Sequence, residues 1–180
     1  MPDHRGPAPP HLAELLRSLE PAGHALDLGA GDGRLTAEIP AERVVLADTS
    51  AAALARAASR MPSAATAELT AGEPLPFADS EFDLVVCVHV LSHVRDVQLL
   101  VSEVRRVLRP GGRLAVAVTA HGRATGLAVL GRGFERLFDP LSPHVRFFSR
   151  RSLAALLDAG GFDVERLVRR RGDLLAVARR

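Results

Sequence analysis

A chain of 180 residues fits one domain, and a 47% hydrophobic content is enough to build a core. The formal net charge is only +2, and the 23 basic residues are all arginine and mostly scattered, a pattern unlike that of a nucleic-acid binder. With no lysine there is no pyridoxal Schiff base and no Walker A loop, with no tyrosine there is no Tyr–Lys dehydrogenase pair, and the single Cys87 excludes an internal disulfide and a multi-cysteine zinc centre.

Residues 1–10 read as a polar, proline-rich flexible tail without a signal-peptide pattern, and no apolar run is long enough to span a membrane. A soluble, cytoplasmic protein is expected, with residues 11–180 as a single domain. Leu12, Leu15, Leu16 and Leu19 recur at helical spacing, and Pro21 ends that helix. Residues 25–28 form a short buried strand leading into Gly29-Ala30-Gly31-Asp32-Gly33, followed by a short helix over 34–39. A second strand at 44–47 ends at Asp48, and Thr49 or Ser50 caps an alanine-rich helix reaching about Arg60.

Residues 65–70 are a weaker third strand, and 82–88 a strong fourth, apolar almost throughout as a central strand should be. Asp96 opens a helix whose stripe is Val97, Leu100, Val101, Val104 and Leu108, closed by Arg109-Pro110-Gly111-Gly112. A fifth strand at 114–118 precedes an irregular insert over 119–150, expected to fold over the site as a lid. The insert carries His121, His144, Phe134, Phe138, Phe147 and Phe148. A helix at 152–158 and strands at 164–168 and 174–178 complete the chain, with Arg171-Gly172-Asp173 at the last turn. Strands alternating with helices imply right-handed crossovers and a parallel sheet. The final turn is too short for a crossover, so its strands pair antiparallel. The fold class is therefore α/β, a Rossmann-like doubly wound sheet of seven strands with one antiparallel strand in a C-terminal hairpin. Its ligand crevice belongs at the carboxyl ends of the first, second and fourth strands.

The glycine loop carries the most information. Gly29 and Gly31 allow tight turning and close backbone approach. The dinucleotide fingerprint needs Gly or Ala three positions after the second glycine, where this chain has Arg34. Asp27 and Asp32 flank the loop, and a pyrophosphate would meet both. One such pair of like charges at ~4 Å costs about 4 kcal/mol at a surface-like dielectric. A ligand with an ammonium and a sulfonium reverses the sign. Asp27 has no obvious partner in the sequence, whereas Asp32 serves equally well as a helix cap or as a ligand contact. Asp48 closes the second strand, where an acid meets ribose hydroxyls; capping the next helix is its other use.

With these pieces in order, the chain resembles the class I S-adenosylmethionine (SAM)-dependent methyltransferases, in particular the small-molecule group that includes the ubiquinone/menaquinone-biosynthesis enzymes. The matching segments are Ala25-Leu26-Asp27-Leu28-Gly29-Ala30-Gly31-Asp32-Gly33, Leu46-Ala47-Asp48, Leu75-Pro76-Phe77, Phe82-Asp83-Leu84-Val85-Val86 and Val107-Leu108-Arg109-Pro110-Gly111-Gly112-Arg113-Leu114. The resemblance implies that Asp27, Gly29, Ala30 and Gly31 line the methionine end of SAM, that Asp48 binds the ribose, and that Thr49 packs near the adenine. It also implies that the backbone of Gly72 borders the adenine amine and that Cys87 and Val88 touch the methionyl part through backbone atoms. Relatives carry an Asp shortly before Leu-Pro-Phe, where this chain has Ala71, Gly72 and Glu73.

Methyl transfer needs alignment and water exclusion, and a base only where the acceptor is a weak acid. His93 and His89 follow the fourth strand and are the candidates for that role. His4, His11 and His24 read as solvent-exposed, and no histidine spacing demands a metal. The expected partner is a small-molecule acceptor, and a homodimer would complete a pocket left open by the short N-terminal cover. A non-catalytic SAM-binding subunit and an NAD(P) oxidoreductase are the alternative readings.

Overall fold

The computed structural model describes residues 8–120 and 147–180. Helix α1 (Pro10–Arg17) leads into β1 (Ala22–Leu28), a 3-10 turn (Thr36–Glu38), β2 (Ala41–Asp48), α2 (Ala51–Arg60), β3 (Ala65–Glu68) and β4 (Phe82–Val88). Then come α3 (Val97–Val107), β5 (Leu108–Thr119), α4 (Arg150–Ala159), β6 (Asp163–Arg170) and β7 (Asp173–Arg179). The seven strands form one sheet in the order β3-β2-β1-β4-β5-β7-β6. The first five pair parallel to their neighbours, and β7 runs antiparallel to both β5 and β6. This is the expected doubly wound α/β sheet with one reversed strand. Strand order changes direction between β1 and β4, which opens a crevice at their carboxyl ends.

Alternating residues of the central strands feed two cores. On one face Leu84 and Val86 of β4 and Ala115 and Ala117 of β5 pack with Leu12, Leu15 and Leu16 of α1. On the other, Val85 and Cys87 of β4 and Leu114 and Val116 of β5 pack with Val101 and Val104 of α3 and Leu153 and Leu157 of α4. Helix α2 presses Leu54 and Ala57 onto Leu46 of β2. Asp96, Ser50 and Ser149 cap α3, α2 and α4 through their side chains.

The helix expected over 34–39 shrinks to one 3-10 turn. Gly33 lies directly against α2, where a Cβ would stand 3.0 Å from the Ala57 Cβ. Ile39 is already extended before Pro40, which closes the segment. Helix α3 ends at Val107 rather than Arg109, because Leu108 turns extended and pairs with Phe82. The register then jumps from Leu108↔Phe82 to Arg113↔Leu84, so Arg109-Pro110-Gly111-Gly112 loops out of β5 as a bulge. Residues 1–7, including His4, and 121–146, including His121, His144, Phe134 and Phe138, lie outside the described residues, and most of the expected lid with them. Phe148 is buried, and its backbone forms a parallel bridge to Ala120. No described helix is long and apolar enough to cross a membrane.

Candidate active site

The glycine loop leaves β1 at the switch point and is fixed to β2 from both sides. Gly29 and Ala30 donate backbone N–H bonds to Ala47 O at 2.7 and 3.1 Å. Gly31 N–H donates to Asp48 Oδ2 at 2.9 Å, while Asp48 Oδ1 accepts from Ser50 N–H at 2.9 Å. One carboxylate at the end of β2 thus orders both the loop and the entrance to α2. Gly31 has φ +58°, and a side chain there would meet no protein atom within 4 Å, so its Cα faces open space. The absent side chain of Gly29 is replaced by Val90, whose Cγ2 stands 2.2 Å from where a Cβ would be. The loop after β4 is thereby laid directly on the glycine loop.

Asp27 is buried, 5% exposed, at the end of β1. The partner not evident from the sequence is Thr36, whose Oγ1 donates to Asp27 Oδ2 at 2.6 Å. Burial pushes the Asp27 carboxyl up to about 6, the Thr36 hydrogen bond pulls it down, and the Asp48 charge raises it again. The register that sets Leu28 beside Ala47 puts Asp27 and Asp48 at neighbouring strand ends. Asp32 pairs with Arg34 Nε at 2.9 Å and lies 3.8 Å from Arg60 Nη2, so its charge is shared with two arginines.

Cys87, 1% exposed, pairs with Leu28 and Val116 across β1 and β5. Burial and then the Asp27 charge push its thiol up to about 12, against a backbone hydrogen bond from Leu91, so it is an inert core side chain. Val88 is half-buried at the strand end. Thr49 is exposed between Asp48 and α2. Leu69 N–H donates to Asp48 O at 2.9 Å, which carries the segment toward Gly72 past the end of β2. Gly72 is exposed with φ +85° and open space over its Cα; Ala71 and Glu73 beside it are exposed.

The segment 75–79 is held by a residue the sequence reading passed over. Arg106 Nη1 donates to Phe77 O and to Asp79 Oδ1, both at 2.8 Å, and Arg106 Nη2 to Leu75 O at 2.9 Å and to Glu103 Oε2 at 2.8 Å. Glu103 in turn accepts from Leu75 N–H at 2.8 Å, and its carboxyl is held below the usual range chiefly by Arg106.

The histidines divide unexpectedly. His93 is exposed, on a turn where its N–H donates to Val90 O at 2.9 Å. His89 follows β4 in the left-handed region, φ +57°, with its N–H on Ala117 O at 2.8 Å. Its Nε2 lies 3.6 Å from Asp173 Oδ2. His11 and His24, expected at the surface, are half-buried. His11 Nε2 lies 2.7 Å from the same Asp173 oxygen, and the His24 ring lies 4.7 Å from that of Phe82. Both are drawn inward by partners from distant parts of the chain.

A cleft of about 260 Å³ lies at the opposite edge of the sheet, bordered by Pro21, Ala22, Asp83 and Arg109. It faces the amino ends of β1 and β4, and its charges are already paired. Asp83 accepts from Arg109 at 2.6 Å and from His24 N–H at 2.8 Å. Burial raises the Asp83 carboxyl, but these two donors outweigh it and leave it below the usual range. The position and the pairing both argue against this cleft as the ligand site.

Comparison with known proteins agrees with the crevice. Residues 26–116, half of the chain, match the methyltransferase-domain family. A malonyl-[acyl-carrier protein] O-methyltransferase of Methylococcus capsulatus is 36% identical over 153 residues, covering 82% of this chain and 54% of that protein. A demethylmenaquinone methyltransferase of Corynebacterium glutamicum is 37% identical over 101 residues, covering 55% of this chain and 43% of that protein. The chain thus spans about half the length of these curated relatives. A SAM-dependent methyltransferase from Mesorhizobium loti superposes with a TM-score of 0.70 at 22% identity, over 95% of this chain and 96% of the other, which shows the shared fold. The matched segment runs through every element that builds the crevice at β1, β2 and β4, and on that ground the chain belongs to the class I SAM-dependent methyltransferase family.

Proposed function

We propose that the protein transfers the methyl group of SAM to a small-molecule acceptor by in-line displacement. The observation that carries this reading is the placement of two carboxylates, Asp27 and Asp48, at neighbouring strand ends beside a glycine turn whose Gly31 faces open space. The residues fit SAM. Open space over Gly31 gives room for backbone contact, Asp27 supplies negative charge toward an ammonium, and Asp48 supplies acceptor oxygens toward ribose hydroxyls. Ala30, Thr49 and Gly72 border the nucleoside side; Cys87 and Val88 offer backbone atoms at the end of β4.

When bound, SAM supplies a methyl group already activated by positive sulfur. The chain's task is placement. Asp48 keeps Gly31 and Ser50 in position, Thr36 fixes the Asp27 carboxylate, and Val90 brings the loop after β4 onto Gly29. His89 and His93 border the acceptor side and are the candidates for moving a proton. Calorimetric titration with SAM, S-adenosylhomocysteine and NADH tests the reading. Binding of the first two and none of the third is expected, followed by S-adenosylhomocysteine release in the presence of small-molecule acceptors. NADH binding without SAM binding would refute it.

A further inference from the structure

Asp173, the first residue of β7, has a side chain only 13% exposed, and one of its oxygens, Oδ2, faces two imidazoles. His11 Nε2, from α1, is 2.7 Å away and itself 13% exposed; His89 Nε2, at the end of β4, is 3.6 Å away and 38% exposed. Both rings aim at the same oxygen. The His11 Nδ1 is buried with no partner among the described residues. A proton there would be a buried donor without an acceptor, so the ring holds its proton on Nε2 and donates it to Asp173.

His89 also carries an unusual backbone. A non-glycine residue at φ +57° is costly and is retained where surrounding structure over-determines it, often at functional sites. Here the Ala117 O contact fixes it, and the neighbouring Val90 lies on Gly29. His89 therefore stands on the β5 side of the same crevice, across from Asp27 and Asp48. It is the most accessible member of the cluster.

We propose that His89 is the acceptor-side general base, with Asp173 and His11 as its positioning residues, and that the acceptor atom is a hydroxyl oxygen. The proposal rests on the methyl-transfer reading above. His89 Nε2 lies 3.6 Å from Asp173 Oδ2, close enough for the carboxylate charge to favour a proton on that nitrogen, and a ring in that tautomer presents a bare Nδ1. The hydroxyl proton passes to that Nδ1. The acceptor oxygen forms the new C–O bond as the bond from the methyl carbon to sulfur breaks, the electron pair staying on sulfur. The resulting imidazolium faces the Asp173 carboxylate, which His11 keeps in place from the other side. A carboxylate acceptor has no proton to give up, and a neutral amine attacks before losing one, so either would leave this arrangement without a task.

The test uses the full chain, its His89→Gln and Asp173→Asn variants, and three readouts. Titration calorimetry with SAM should give affinities within about threefold in all three proteins; failure of the wild type to bind would defeat the methyl-transfer reading, a different result from failure of the proposal. Ring 15N NMR of the SAM-free proteins should show the neutral His89 ring carrying its proton on Nε2 in wild type and losing that preference in Asp173→Asn. Among the described residues, the ionisable groups facing His89 are Asp173 of β7 and, through it, His11 of α1. Turnover is measured against paired panels of phenols and aliphatic alcohols, carboxylates and amines. With hydroxyl acceptors, His89→Gln should lower kcat by roughly 10²–10⁴-fold with little change in KM. An identical His89 tautomer in wild type and Asp173→Asn overturns the proposal, whether or not any panel member is methylated. Methylation confined to carboxylates or amines, or an unchanged kcat in His89→Gln, overturns it as well.

Discussion

Thr36 Oγ1 donates a 2.6 Å hydrogen bond to Asp27 Oδ2 across the glycine loop, tying the 3-10 turn to the buried end of β1. That bond opposes the effects of burial and of Asp48 on the Asp27 carboxyl. Thr36→Val keeps the shape and deletes the donor. Asp27 should then hold its proton to higher pH than the present value of about 6. The pH at which SAM binding falls to half should rise in step. Calorimetric titrations from pH 5 to 8 would measure the displacement, and an unmoved midpoint would separate Asp27 from binding.

Asp27→Asn should divide stability from binding. The folded carboxyl titrates near 6 against an ordinary 3.8, so its raised value favours the folded state fully below about pH 3.8 and ceases to do so as pH rises through about 6. Ionised Asp27 thus costs the SAM-free protein about 3 kcal/mol above pH 6. The Asn variant lacks that cost and should melt higher than wild type at pH 7.5, with the advantage vanishing near pH 4. Its SAM affinity should be lower by about tenfold or more. Thermal melts across pH, set beside calorimetry, read both effects.

Two glycines of one loop should fail differently. Gly33→Ala places a methyl 3.0 Å from the Ala57 Cβ and 3.1 Å from its Cα, at φ +75°, so it must push α2 away. A loss of about 1–3 kcal/mol is expected from overpacking, with SAM binding weakened only through instability. Gly31→Ala meets no protein atom, and φ +58° adds only about 1 kcal/mol of backbone strain. Its methyl instead projects into the space assigned to the ligand. SAM affinity should drop sharply while the melting temperature moves by a few degrees. Equal losses of stability in the two variants would contradict this division.

Arg106 braces the segment after β3 through Leu75 O and Phe77 O, with Glu103 beside it. Arg106→Lys keeps the charge but cannot span two carbonyls and two carboxylates with a planar fork. Urea unfolding should show a loss of about 1–2 kcal/mol for Lys and a larger one for Ala, each carbonyl left unpaired adding to it. Indistinguishable midpoints for wild type and Lys would reduce the network to a surface ion pair.

The sheet was legible because apolar runs, turn residues and the short final turn each constrain one strand, and together they leave a single reversed strand. Boundaries suffered where tertiary contacts intervene: Gly33 against Ala57 shortened a helix, and the pairing of Leu108 with Phe82 converted a helix end into strand. The loop glycines, Asp27 and Asp48 could be read because local spacing places them at the carboxyl ends of neighbouring strands. Thr36, Arg106 and Asp173 could not, for they act across 9, 29 and 162 positions on Asp27, Phe77 and His11. A threonine in a turn, an arginine in a helix and an aspartate after a glycine carry no local mark of such partners. The same separation hides the burial of His11 from its local sequence.

The insertion of β7 between β5 and β6 has a consequence for the order of assembly. Among the described residues, strand β6 has no hydrogen-bonded neighbour except β7, so while a nascent chain is being made it lacks that edge until residues 173–179 have emerged from the ribosome. The carboxylate of Asp173 arrives with that same strand. A chain halted at the turn before it would hold the glycine loop and both loop acids, yet would lack the group that His11 and His89 face.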